Sequence, residues 1–89
     1  MEVTITGRYE GGRFDAFDSN YKFNGEFRKN PETDKLTTIN SQVLDTNGNF
    51  LGNVNGYLAG EDMKYNFNEV SITEISKIAD AMNNIIMEL

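Results

Sequence analysis

The chain has no cysteine, no histidine, no tryptophan and a single proline. Without cysteine there is neither a disulfide framework nor a thiolate site, which fits a reducing compartment, so a cytoplasmic location is expected. The loss of both histidine and cysteine removes the commonest general base, the commonest nucleophile and the usual transition-metal ligands. Long apolar runs are missing too. The longest, Ile85-Ile86-Met87, falls far short of the roughly 20 residues that cross a bilayer, so no membrane partner is expected. The opening MEVTITGRYE is acidic and alternating and does not read as a signal peptide. No Pro/Ser-rich linker or low-complexity segment divides the 89 residues, which read as one domain, 1–89. A chain of this size buries only about 60–65% of its unfolded surface, so each apolar position counts.

What is present is acid. The formal net charge is −6. Residues 1–35 hold seven acids and six bases, whereas residues 36–89 hold seven acids against Lys64 and Lys77 alone. Phosphate backbones reward clustered Lys and Arg, so direct nucleic-acid binding is not expected. An acid-rich half suits a basic or nucleic-acid-binding protein instead. Glu61, Asp62, Glu74 and Asp80 are its candidate contact residues.

Asn-Gly, the strongest short hairpin signal, occurs three times, at 24–25, 47–48 and 55–56. A two-residue turn at Asn47-Gly48 pairs Val43 with Gly52, Ser41 with Val54, Ile39 with Gly56 and Thr37 with Leu58 on one face. The other face then carries Leu44/Leu51, Gln42/Asn53, Asn40/Asn55 and Thr38/Tyr57. Apolar and amide residues separate cleanly, as a half-buried antiparallel pair requires. A turn at Asn24-Gly25 would oppose Lys22 and Phe27, while an unbroken strand aligns Tyr21, Phe23, Gly25 and Phe27. A turn at Asn55-Gly56 would cut short a well-paired strand. Only the middle Asn-Gly is read as a turn.

RYEGGRFD reads as a hairpin around Gly11-Gly12, with Glu10/Arg13, Tyr9/Phe14 and Arg8/Asp15 as pairs. LAGEDM reads as a four-residue loop that sets Leu58 by Met63, Gly56 by Tyr65 and Val54 by Phe67. NPETD is a surface turn, and residues 18–20 are a bend or a bulge. At the end of the chain, Ser71 to Glu74 fits a capping box. Ile75, Ile78, Ala79, Met82, Ile85, Ile86 and Leu89 then mark one face of a helix over about 72–88. The expected fold is α+β: a curved antiparallel meander of about five strands with this helix packed on its concave face.

Gly7, Gly25, Gly52 and Gly56 fall on the core side of their strands, and three stand in the same apolar-x-Gly-x-apolar pattern. Glycine inside a strand commonly marks close backbone approach. We expect these positions to line a shallow trough for the helix, with Tyr65 covering a glycine.

DTNGN invites a calcium reading through Asp45, Asn47 and Asn49. The EF-hand loop needs glycine at its sixth position and an acid at its twelfth, where this chain has its glycine at the fourth and Gly56 at the twelfth. No glycine cluster precedes the helix to cradle a phosphate. Asp15 and Asp18 read as solvated carboxylates, and no cleft is signalled for catalysis. No enzyme activity, metal or cofactor is expected.

The outward face is less ordinary. Asn24, Asn40, Gln42, Asn53, Asn55, Asn66 and Asn68 should form an amide patch, with Lys22 beside it, Tyr57 at its margin and Leu44 and Leu51 at the hairpin tip. Amides both donate and accept, which suits a sugar, a peptide or another sheet. The leading reading is a small non-enzymatic acidic protein–protein interaction module, with a phage-type inhibitor of a host enzyme or nuclease as its sharpest form. A carbohydrate- or peptide-binding module using the amide face is the second reading. A self-associating domain that dimerises through an edge strand is the third.

Overall fold

The computed structural model describes residues 1–7 and 9–89. Six strands form one antiparallel sheet: β1 Glu2–Thr6, β2 Gly11–Phe17, β3 Tyr21–Asn30, β4 Lys35–Asp45, β5 Phe50–Ala59 and β6 Asp62–Asn68. A single helix follows, α1 Ile75–Glu88. The strands lie side by side in chain order, a pure meander. The architecture is the expected α+β one, with six strands where about five were expected.

The extra strand is decided at Asp18. Its carboxylate accepts the backbone N–H groups of Asn20 and Tyr21, at 2.7 and 2.8 Å, and its own N–H donates to Tyr21 O. The 18–20 segment is therefore a side-chain-closed turn, which separates β2 from β3.

The rejected turns at Asn24-Gly25 and Asn55-Gly56 both lie within paired strands. At Asn47-Gly48 the chain does turn, but not as a two-residue hairpin. The connection runs from Thr46 to Asn49 and is held by Asp45, whose Oδ1 accepts from Asn47 N and Asn49 N, both at 2.9 Å. Leu44 faces Phe50 while Val43 still faces Gly52, so Leu51 is the extra residue of a bulge. The bulge restores the expected register from Val43/Gly52 to Thr38/Tyr57. It also overturns the Leu44/Leu51 pair.

The first hairpin differs as well. Arg13 faces Thr6 and Phe14 faces Ile5, in place of the expected Glu10/Arg13 and Tyr9/Phe14 pairs. Arg8, the expected partner of Asp15, lies outside the described residues, and Asp15 faces Thr4. Gly11 and Gly12 are not the turn but the squeezed start of β2. A Cβ on Gly12 would lie 2.0 Å from Thr6 O, and one on Gly11 would lie 2.2 Å from Phe27 O. Between Leu58/Met63 and the turn, Ala59 and Asp62 still pair, which leaves Gly60-Glu61 as a two-residue connection rather than a four-residue loop.

One side of the sheet is apolar. Phe14, Phe23, Phe27, Ile39, Val43 and Val54 are buried in one cluster with Ile78, Ala81, Met82 and Ile85 of α1. Burying a large apolar side chain contributes roughly 1.5–3 kcal/mol, so three phenylalanines on β2 and β3 carry much of this core. Val3 and Ile5 on β1, and Met63, Tyr65 and Phe67 on β6, are only partly buried at its flanks.

The helix starts at Ile75 rather than about 72, and the expected capping box does not form. Glu74 occupies the N-cap without a side-chain cap bond, because its carboxylate accepts the Tyr21 hydroxyl instead. Ser71 Oγ lies 3.0 Å from Thr73 Oγ1, and residues 72–74 form a turn closed by Glu74 N donating to Ser71 O. At the other end, Lys29 Nζ donates to Leu89 O at 2.7 Å and to Asp34 Oδ1 at 3.1 Å. A cation there complements the helix dipole.

The strand glycines do not form the expected trough for the helix. Gly7 lies outside β1, in the exposed connection. None of the atoms nearest to Gly25, Gly52 or Gly56 belongs to the helix. A Cβ on Gly25 would lie 1.9 Å from Asn40 O, so this glycine lets β4 close against β3. A Cβ on Gly56 would lie 2.7 Å from Ile39 Cγ2 and 3.1 Å from the Tyr65 ring, so Tyr65 covers a glycine as expected. Among the described residues no helix is long and apolar enough to cross a membrane.

Candidate functional site: the outer face of the sheet

Alternation sends the other half of each strand outward. The registers align two long rows there. Thr6, Arg13, Glu26, Asn40, Asn55 and Asn66 succeed one another across all six strands. Thr4, Asp15, Asn24, Gln42, Asn53 and Asn68 form the row beside it. The seven expected amides are thus brought together, six of them as a block on β4 to β6. Neighbours within a row stand one strand spacing apart, about 4.8 Å.

Among the described residues none of these seven side-chain amides makes a hydrogen bond; Ser41 Oγ reaches only backbone oxygens beside them, Gln42 O at 2.8 Å and Asn24 O at 3.4 Å. Asn24, Asn53 and Asn55 are half-buried and the other four are exposed. A shallow depression of about 240 Å³ opens over Asn24, Asn40, Gln42, Asn53 and Asn55. It adjoins a second of about 340 Å³ beside Gly11, Gly12, Arg28 and Thr38. Arg13 and Glu26 border both and approach to 3.7 Å in an exposed ion pair, of the kind that contributes about 0–1 kcal/mol.

Apolar side chains close one end of this face. Phe17 pairs with Lys22, Lys22 with Leu44, and Leu44 with Phe50; the two phenylalanines are 51% and 49% exposed. Phe17 and Phe50 were absent from the expected site. The alternation of GGRFDAF carries the signal for Phe17, whereas Phe50 takes its place only through the bulge at Leu51. Leu51 itself leaves the site: it packs against the core and lines a recess with Tyr21, Asp45, Ser71, Glu74 and Lys77. Tyr57 lies at the opposite margin, between Thr38 and Lys64, and is 43% exposed.

The four acidic candidates are not gathered. Glu61 and Asp62 lie at the β5–β6 turn, while Glu74 faces Leu51 and Asp45 at the other end of β5. Asp80 is exposed on the helix. Among the described residues, the paired outer rows carry Glu2, Asp15, Glu26 and Asp62 against Arg13, Lys22, Arg28 and Lys64, so acids and bases balance along these rows.

The displaced titrating groups lie elsewhere. Burial, then the hydrogen bond to Glu74 and the charges of Glu74 and Asp18, push the Tyr21 hydroxyl up to about 12. Burial also raises Tyr65, whose hydroxyl donates to Asn83 Oδ1 at 2.8 Å. Hydrogen bonds from Asn49, Asn47 and Gly48 lower Asp45. Each of these groups closes a turn or ties the helix to the sheet. Among the described residues no cluster of acids could hold a metal ion.

Compared with known proteins, the chain matches no family model, no curated protein and no solved structure.

Proposed function

We propose that this chain is a small non-enzymatic protein-interaction module that presents the outer face of its sheet to a protein partner. The observation that carries this reading is the set of seven amide side chains in two adjacent rows with no side-chain hydrogen bonds of their own among the described residues. An amide face offers donors and acceptors without charge, and the half-exposed Phe17 and Phe50 at its border add aromatic surface of the kind enriched in protein interfaces. The balance of acids and bases along the described rows favours a partner that is polar and near-neutral where it touches. The acids at the turns and on the helix then act on encounter rate and solubility.

The test compares three immobilised proteins in an extract of the source organism: wild type, the outer-face variant Phe17→Asp/Phe50→Asp, and the helix-face variant Lys77→Glu/Asp80→Lys. A protein retained by wild type and by the helix-face variant, but lost from the outer-face variant, supports the reading. Loss confined to the helix-face variant overturns it.

A further inference from the structure

β6 is the last strand of the sheet, and among the described residues no strand pairs with its outer side. Natural edges are usually shortened, bulged, interrupted by proline or heavily charged. β6 has seven residues, no proline, an unbroken register against β5 from Asn53/Asn68 to Ala59/Asp62, and Asp62 and Lys64 as its only charges. The bulges of this sheet sit instead between β3 and β4 and between β4 and β5. β1, the other edge, is shorter, with five residues.

Ala59 and Asp62 flank a two-residue turn and so form the hydrogen-bonded kind of pair, with alternate pairs following along the ladder. The backbone groups of Met63, Tyr65 and Phe67 therefore point away from β5. The side chains of the same three residues are only partly covered at the flank of the core.

We propose that β6 pairs antiparallel with β6 of a second copy, about a two-fold axis at Tyr65. Tyr65 is the midpoint of Asp62–Asn68, so this register engages the whole strand. It sets Met63 against Phe67, Lys64 against Asn66 and Asp62 against Asn68, with no like charges opposed. Sliding the partner one way opposes Lys64 to Lys64. Sliding it the other way opposes Met63 to Glu69, whose φ of 62° takes it out of the strand. A two-fold contact of this kind closes on itself, unlike a β1–β6 contact, which would propagate. The dimer has a twelve-stranded sheet with a continuous outer face.

The test is sedimentation analysis over a concentration series, using two substitutions at one exposed outer-face position. Asn66→Lys places a lysine opposite Lys64 twice per dimer and is expected to weaken association roughly three- to ten-fold, whereas Asn66→Glu is expected to strengthen it by a similar factor. Circular dichroism melts at low concentration confirm that both monomers fold alike. A wild type that stays monomeric throughout the series overturns the proposal. So does a dimer that fails to respond in opposite directions to the two charges.

Discussion

Phe14, Gly25, Ser41, Val54 and Phe67 stand in one row across the inner face of the sheet, and on the other side of the same strands Arg13, Glu26, Asn40, Asn55 and Asn66 form the neighbouring row. The two rows differ in how their polar groups are used. On the inner side each buried polar group has a partner in the fold: Ser41 Oγ donates to Gln42 O at 2.8 Å, and Tyr21 reaches Glu74. On the outer side the amides have none among the described residues. Polar groups on the helix side therefore fix the fold, since an unsatisfied buried group costs about 1–3 kcal/mol. Those on the outer side are not needed by it.

The largest test of this contrast sets one core residue against one outer amide. Phe27→Ala should destabilise by about 3–5 kcal/mol through lost burial and a cavity, while Asn55→Ser should stay within about 0.5 kcal/mol. Chemical denaturation of both variants reads the difference, and similar losses would erase the distinction between the faces. A second comparison separates the two ways in which a glycine admits close contact. Gly25→Ala must displace the Asn40 carbonyl, whereas Gly56→Ala meets the side chains of Ile39 and Tyr65, which can shift. Both should destabilise, within the roughly 1–3 kcal/mol of overpacking, and Gly25→Ala should cost the more. A reversed order in denaturant midpoints would place the tighter approach at β5 instead of at β3.

The third prediction concerns Tyr21, the tie between β3 and the helix N-cap. Tyr21→Phe leaves the Glu74 carboxylate without its donor and should cost about 1–2 kcal/mol near neutral pH. The hydroxyl titrates at about 12 in the fold against 10.0 ordinarily, so the folded state holds its proton more tightly. Its contribution is therefore complete below pH 10.0 and is lost as the pH rises through about 12. Denaturant melts along the alkaline limb should show wild type losing its advantage over Tyr21→Phe across that interval. An advantage that persists at the top of the range would mean that Tyr21 acts by packing alone.

Much of the frame was legible because side-chain alternation carries it. The register of β4 on β5 followed from the separation of Ile39, Ser41 and Val43 from Asn40 and Gln42, and that of β5 on β6 followed from Tyr65 opposite Gly56. Six of the amide positions came directly from those two registers. The first hairpin was not legible, because Gly11-Gly12 carries a turn signal while the structure uses it for close approach to Thr6 and Phe27. The helix start was not legible for a related reason. A capping box is a local pattern, and Tyr21, 53 residues away in the chain, competes for the same Glu74 carboxylate.

The sequence by itself determined the alternation of apolar and amide residues, the single long amphipathic helix, and hence a one-sided sheet with a polar exterior. These are properties of neighbours in the chain, set by the two-residue period of a strand and the 3.6-residue period of a helix. The tertiary structure alone decided that Leu51 turns to the core while Phe50 joins Phe17 at the border of the outer face. It also scattered the four acids and left β6 as an open edge. Those outcomes depend on a bulge, a strand order and a long-range hydrogen bond, each of which exists only once distant segments have met.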